Sequence, residues 1–119
     1  MRINLDLLRE ILKDVADHDG SCDLGSNNLI YDGISKETAN HHIRILIDEG
    51  YLKAIDASDK LGLCYLVIEL TMSGQSFFDK IENDTIWQKT KAIIANGATI
   101  TGIASIEALV SSIVEDALK

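Results

Sequence analysis

Apolar residues return at helical intervals along the first segment, NLDLLREILKDVADH, where Leu5, Leu8, Ile11, Leu12 and Val15 share one face. Asn4 stands where an N-cap is needed, and Asp6 suits the positive end of such a helix. In the following DHDG, Gly20 is expected to close the helix in a left-handed conformation. The period then breaks in GSCDLGSNNLIYDGI, rich in Gly, Ser, Asn and Asp, which leaves room for at most one short strand around Leu29–Tyr31.

Helical spacing resumes in ISKETANHHIRILIDEG, with Ser35 as N-cap and Glu37 and Thr38 in the first turn. Ala39, Ile43, Leu46 and Ile47 fall on a face to be buried, and Glu37, His41, Arg44 and Asp48 on the face opposite. Gly50 ends this helix. The strand-like runs YLKAI and LCYLVIEL, separated by the turn-rich DASDKLG, predict a hairpin. Helix restarts in LTMSGQSFFDKIEN, capped by Thr71 or Ser73, with Phe77, Phe78 and Ile81 inward. NDT opens another in DTIWQKTKAIIANG, where Ile86, Lys89–Thr90 and Ile93 define a face and Gly97 a C-cap. The last helix, in TGIASIEALVSSIVEDALK, gathers Ile103, Ile106, Val110, Ile113, Val114 and Ala117 on one side.

Helix, loop, helix, hairpin and three further helices make an α+β chain. Its expected fold is a winged helix-turn-helix-like domain with a two-stranded wing and a C-terminal helical extension. The domain is expected over 1–82 and the extension over 83–119, packed as one unit. LIDEGYL matches the helix-to-wing closure of that fold and LTMSGQSFF the helix that follows the wing.

Four phrases in order also carry a family resemblance. They are the opening Asn4-Leu5-Asp6-Leu7-Leu8-Arg9-Glu10-Ile11-Leu12; His42, Leu46 and Gly50 with Tyr51–Leu52; Leu70, Thr71, Gly74 and Phe77; and Asp84, Thr85 and Trp87. The chain resembles the bacterial and phage-associated family known as domain of unknown function 2513. It departs from that pattern at Met72, where the family often has Trp, and at Gln75, where it often has His. The resemblance implies the winged-helix-like fold and a phage or prophage setting, and no established activity.

Composition narrows the picture. Of 119 residues, 46% are apolar and 25% charged, as in globular rather than disordered chains. No apolar run reaches the roughly 18 residues of a membrane helix, so no membrane partner is expected. Acidic residues interrupt the N-terminus where a signal peptide would be apolar, and a cytoplasmic location is expected. Cys22 and Cys64 have no metal-like spacing and read as free thiols, Cys64 buried in an apolar strand. With no proline, nothing marks a rigid linker.

The candidate chemistry is sparse. His41 and His42 adjoin on a helix and diverge, so they do not share a metal easily. Adding His18 and Cys22 does not supply the four converging ligands of a zinc site, and no metal or cofactor is expected. For His42 the bland reading, a packed ring bonded to a backbone carbonyl, outweighs a chemical role. No phosphate loop, HExxH or nucleophile elbow is present. Asp56 and Asp59 read as a solvated turn, and an enzyme is not expected.

Charge bears directly on DNA binding. The formal net charge is -8. Residues 1–34 carry three bases against seven acids, 35–65 four against five, and 66–119 four against seven. The acidic excess is smallest where DNA would lie, yet it is not reversed. The leading expectation is a DNA-binding regulator, with Ser35, Lys36, Thr38, His41 and Arg44 on the reading face and Lys60 in the wing. A solvated face with an Arg44–Asp48 pair is the alternative, and the chain is then a protein-interaction module such as a phage accessory or anti-repressor-like factor. The broad apolar side of the last helix suggests a homodimer through it.

Overall fold

The computed structural model describes residues 3–18, 24–95 and 103–117. In order they form α1 (Leu5–Asp17), a 3-10 turn (Ser26–Asn28), α2 (Lys36–Asp48), β1 (Leu52–Asp56), β2 (Tyr65–Leu70), α3 (Met72–Ile81), α4 (Asp84–Ala95) and α5 (Ile103–Ala117). The chain is mixed α+β, and its strands pair antiparallel. It divides into two compact units, Met1–Gln75 and Ser76–Lys119.

In the first unit, the Asn4 side chain caps α1 by accepting from the Leu7 N–H. Leu7, Leu8, Ile11, Leu12 and Val15 are buried, while Leu5 is only half-buried. The helix ends at Asp17, where His18 turns extended and its N–H reaches the Val15 carbonyl. Gly20 and Cys22 lie outside the described residues.

The strand expected around Leu29–Tyr31 does not form. Local turns take the backbone groups instead. Asn28 Oδ1 accepts from the Gly25 N–H, the Asn28 N–H reaches the Gly25 carbonyl, and the Ile34 N–H reaches that of Tyr31. The hairpin is met a few residues earlier. The Leu24 carbonyl accepts from the Ile68 N–H at 2.7 Å, and Ser26 Oγ from the Tyr65 N–H at 3.0 Å.

Punctuation at both ends sets α2. Ser35 Oγ accepts from the Thr38 N–H and donates to the Thr38 hydroxyl. At the other end Gly50 takes a φ of +86°, which a side chain rarely tolerates. This lets the Tyr51 N–H return to the Leu46 carbonyl and the Gly50 N–H to that of Ile47, closing the helix on its own last turn. Ala39, Ile43 and Leu46 are buried, flanked by Asn40 and His42; Ile47 is half-buried, less than its position on the helix suggests.

The hairpin pairs Leu52 with Leu70, Lys53 with Glu69, Ile55 with Leu66 and Asp56 with Tyr65. Between the inner and outer pairs β2 holds one residue more than β1, a bulge. Val67 sits in it at a φ of +53°, strained for a β-branched residue. Cys64 lies just before β2, half-buried rather than within a buried strand. Its N–H donates to Ser58 Oγ and its carbonyl accepts from the Ala57 N–H, so the chain there is still part of the turn assembly.

The exit from the hairpin explains the Leu-Thr-x-x-Gly phrase. The Thr71 hydroxyl donates to the Gly50 carbonyl and accepts from the Gly74 N–H, capping α3. The Thr71 N–H reaches the Tyr51 carbonyl, and Gly74 presses on that same group so closely that a Cβ would collide with it.

In the second unit Phe77, Phe78 and Ile81 are buried, as their spacing suggests. Asn83 Oδ1 caps α4 by accepting from the Ile86 N–H. The face expected from Ile86, Lys89–Thr90 and Ile93 is turned, because Lys89 and Ile93 are exposed while Trp87 and Thr90 are buried. Two causes act together. Trp87 carries the largest apolar surface of the helix, and the Thr90 hydroxyl donates to the Ile86 carbonyl, which removes the penalty on burying it. On α5, Ile106, Val110 and Ile113 are buried and Val114 half-buried. Gly97 and the side chains of Ile103 and Ala117 lie outside the described residues.

Candidate functional site

The outward side of α2 and the β1–β2 connection face each other across an open cleft of about 610 Å³. Lys36, Glu37, Asn40 and His41 come to it from the first two turns of α2. Asp59, Lys60, Leu61 and Leu63 come from the connection, which is ordered by its own polar atoms. Asp56 Oδ1 accepts from the Ser58 N–H, Asp59 Oδ1 accepts from the Leu61 N–H, and Asp59 and Gly62 exchange backbone bonds. Lys60 and Leu61 therefore stand at the tip of a tight turn. The two Ser58 contacts hold the exposed Asp56 carboxyl below its usual value.

The cleft brings Lys36, His41 and Lys60 together and leaves out Ser35, Thr38 and Arg44. The hydroxyls of Ser35 and Thr38 bond each other. Arg44 lies 3.6 Å from the Asp48 carboxylate, the i,i+4 pair expected from the spacing, with both side chains more than half exposed. Lys53 pairs across the strands with Glu69 at 3.2 Å. Glu37 and Asp59 line the cleft with Lys36 and Lys60. Each basic side chain of residues 35–65 thus has a carboxylate as ion-pair partner or cleft neighbour. Paired exposed charges hold each other weakly, but together they flatten the local potential.

His42 is fully buried and both its nitrogens are used. Nε2 accepts from the Asn4 N–H at 2.9 Å, so Nδ1 carries the hydrogen and donates it to the Thr38 carbonyl at 2.8 Å. The ring ties the start of α1 to α2, the structural role its position suggested. Among the described residues no group of three or more His, Cys, Asp or Glu is placed to hold a metal ion. Nor is any described helix long and apolar enough to cross a membrane.

Four residues escaped sequence reasoning. Asn40 is only 5% exposed and lines the cleft; its Nδ2 donates to the Leu63 carbonyl, while Oδ1 meets no donor among the described residues. Its place three residues before Ile43 and seven before Ile47, at the edge of the apolar face, was the available signal. Ile55 and Leu66, a cross-strand pair, are 59% and 44% exposed, and Leu61 is 97% exposed at the turn. For Leu66, the almost uninterrupted apolar run LCYLVIEL hides which of its members face outward.

Near the cleft, a smaller pocket of about 260 Å³ is lined by Leu29, Ile30, Tyr31, Ile34 and Ala39 and shares Asn27 and Lys36 with it. Burial first, and the Asp14 carboxylate second, push the Tyr31 hydroxyl well above its ordinary value.

These features define a small α+β domain that presents one helix face and one hairpin, with a polar cleft between them. The chain belongs to the family described as "Hypothetical protein (DUF2513)", whose model matches residues 2–101. It is similar to an "Uncharacterized protein" of Haemophilus influenzae (strain ATCC 51907 / DSM 11121 / KW20 / Rd), 28% identical over 121 residues that span 99% of each chain. No solved structure matches it.

Proposed function

We propose that the chain is a protein-interaction module of winged-helix type, in which α2 and the hairpin meet a protein partner. The observation that carries this reading is the joint character of the surface. Its basic side chains stand beside carboxylates, and its outward hairpin pair, Ile55 and Leu66, is apolar. Duplex binding draws on lysines and arginines free to displace phosphate counterions. Protein interfaces draw on desolvated apolar centres with a polar rim. The net charge of -8 acts in the same direction, since it repels a polyanion and attracts a basic protein. The buried side of α5, with Ile106, Val110 and Ile113, is consumed within the single chain, so this reading does not draw on a dimer through that helix.

The second reading, a DNA-binding regulator, rests on the meeting of Lys36, His41 and Lys60 in one cleft. Anisotropy titrations against a duplex library at about 50 mM salt separate the two, because the electrostatic contribution is strong there. No retained duplex is the expected result. Retention that weakens with a log–log slope of roughly -0.9 per phosphate contact, and that flattens by about one unit in Lys60→Ala, overturns the protein reading. In the complementary experiment a photo-crosslinking residue replaces Ile55 in cells. A protein adduct that Leu66→Asp abolishes is expected, and no adduct counts against the proposal.

A further inference from the structure

We infer that the cleft between α2 and the β1–β2 connection receives an arginine side chain of the protein partner. The inference rests on the protein-partner reading and gives that partner its chemistry. It starts from Asn40. The Leu63 carbonyl fixes the orientation of this amide by taking the Nδ2 hydrogen at 3.0 Å, and turning the amide over would set oxygen against oxygen. Oδ1 is left as a buried acceptor with no donor among the described residues. Such an atom is costly to leave unbonded. A phosphodiester or an ionised carboxylate cannot bond it, because both are acceptors only. What satisfies it is a donor.

The surroundings select a cationic donor. Glu37 and Asp59 line the same cleft, and among the described residues only Oδ1 of Asp59 is bonded, by the Leu61 N–H. The neighbouring positive charges, Lys36 and Lys60, are exposed and carried on long flexible stems, so they can swing aside where the fixed acceptor cannot. The net charge of -8 draws cations at longer range. A guanidinium suits this set better than an ammonium, since its planar fork presents several N–H groups at once and is less strongly hydrated. Leu61 and Leu63 supply apolar surface for the alkyl stem. Asn40 Oδ1 has almost no exposed surface in the free chain, so contact with it takes a slight opening of the cleft. The gain of a bond to that atom favours the opening.

The test uses N-acetyl-arginine amide as probe, with N-acetyl-lysine amide and dimethyl phosphate as comparisons, followed by amide NMR of the full chain. Saturable shifts are expected at the Asn40 side-chain amide and at Glu37, Asp59 and Leu61. Arginine should bind several-fold more tightly than lysine, and phosphate should leave these signals in place. The double variant Glu37→Gln, Asp59→Asn alters two exposed side chains and should weaken arginine about tenfold through lost charge-assisted bonds. Saturable phosphate shifts at the cleft, no arginine shifts, or undiminished binding in the double variant overturn the inference. If arginine fails while the Ile55 crosslink still captures a protein, only this inference falls. If a duplex is retained and phosphate shifts the cleft, the protein-partner reading falls with it.

Discussion

At its base the hairpin turns Leu52 inward and is tied to its neighbours by the Thr71 hydroxyl, the Tyr51 carbonyl and the close approach of Gly74. At its outer end it turns Ile55 and Leu66 to solvent and lifts Leu61 clear of the surface. One pair of strands therefore serves two purposes. The base is over-determined, with Thr71 bonded to the adjacent Gly50 and Tyr51 carbonyls and Gly74 pressed on the second, and its residues set stability. The outer end has apolar side chains with little to cover them, and its residues are available for contact. A mutation at the base should be felt in folding and one at the outer end in binding.

The sharpest way to break that comparison is truncation. Leu52→Ala, or Leu46→Ala under the same surface, should cost about 2–5 kcal/mol in urea unfolding, the usual range for emptying a buried leucine site. If Leu52→Ala unfolds like the parent, the base is not the anchor described. Next in size is Gly74→Ala. Its added methyl meets backbone rather than a yielding side chain, so a loss of about 1–3 kcal/mol is expected, although Ala is the better helix former. A stabilised Gly74→Ala would mean that the Tyr51 carbonyl is free to move.

Alkaline titration probes the inner side of the outer end. Tyr65 begins β2 with its side chain buried, and burial first, then the Asp56 carboxylate, raise its hydroxyl above the ordinary value of 10.0. Below pH 10.0 both folded and unfolded chains keep the proton. Above it the unfolded chain releases the proton while the folded chain holds it, so stability falls as pH rises toward the folded value. Unfolding followed across that window should lose part of its slope in Tyr65→Phe. An unchanged slope would mean that this ring is not buried. The smallest effect belongs to Leu61→Ser at the turn, within about 0.5 kcal/mol of the parent, as for exposed positions generally. A larger loss would place Leu61 in the structural half of the comparison.

Legibility in the sequence follows the same division. Where backbone chemistry demands a particular residue, the elements could be read: Asn4 and Ser35 as caps, Gly50 as the end of α2, and Thr71 at the start of α3. The inward positions of Ala39, Ile43 and Leu46 were legible because polar residues alternate with them at helical period. In α4 the rule misled, because Thr90 satisfies its own hydroxyl on the preceding turn and Ile93 does not go inside. The segment after Leu24 was opaque because its side chains compete for its backbone bonds. Of the candidate site, the charges and the Arg44–Asp48 pair were visible, while the pairing of Lys53 with Glu69 and the shared cleft of Lys36 and Glu37 with Asp59 and Lys60 were not, since these arise only across the fold.

The extra residue in β2 has a consequence for how this chain tolerates changes of length. Without Val67 the pairs Leu52–Leu70, Lys53–Glu69, Ile55–Leu66 and Asp56–Tyr65 fall into one uninterrupted ladder, with Ile68 opposite Ala54. Tyr65 and Ile68, now three apart and both buried, would be two apart and still share a face. The bulge thus behaves as an absorbed insertion, one residue set aside in a left-handed kink so that its neighbours keep their partners. Relatives should be able to lose or regain a residue at this place while the base stays anchored and Ile55 and Leu66 stay turned outward. A single deletion in the regular turn of α2 would instead rotate Asn40 and His42 away from their bonds. Gaps in an alignment of the family should therefore gather at Val67 and avoid α2.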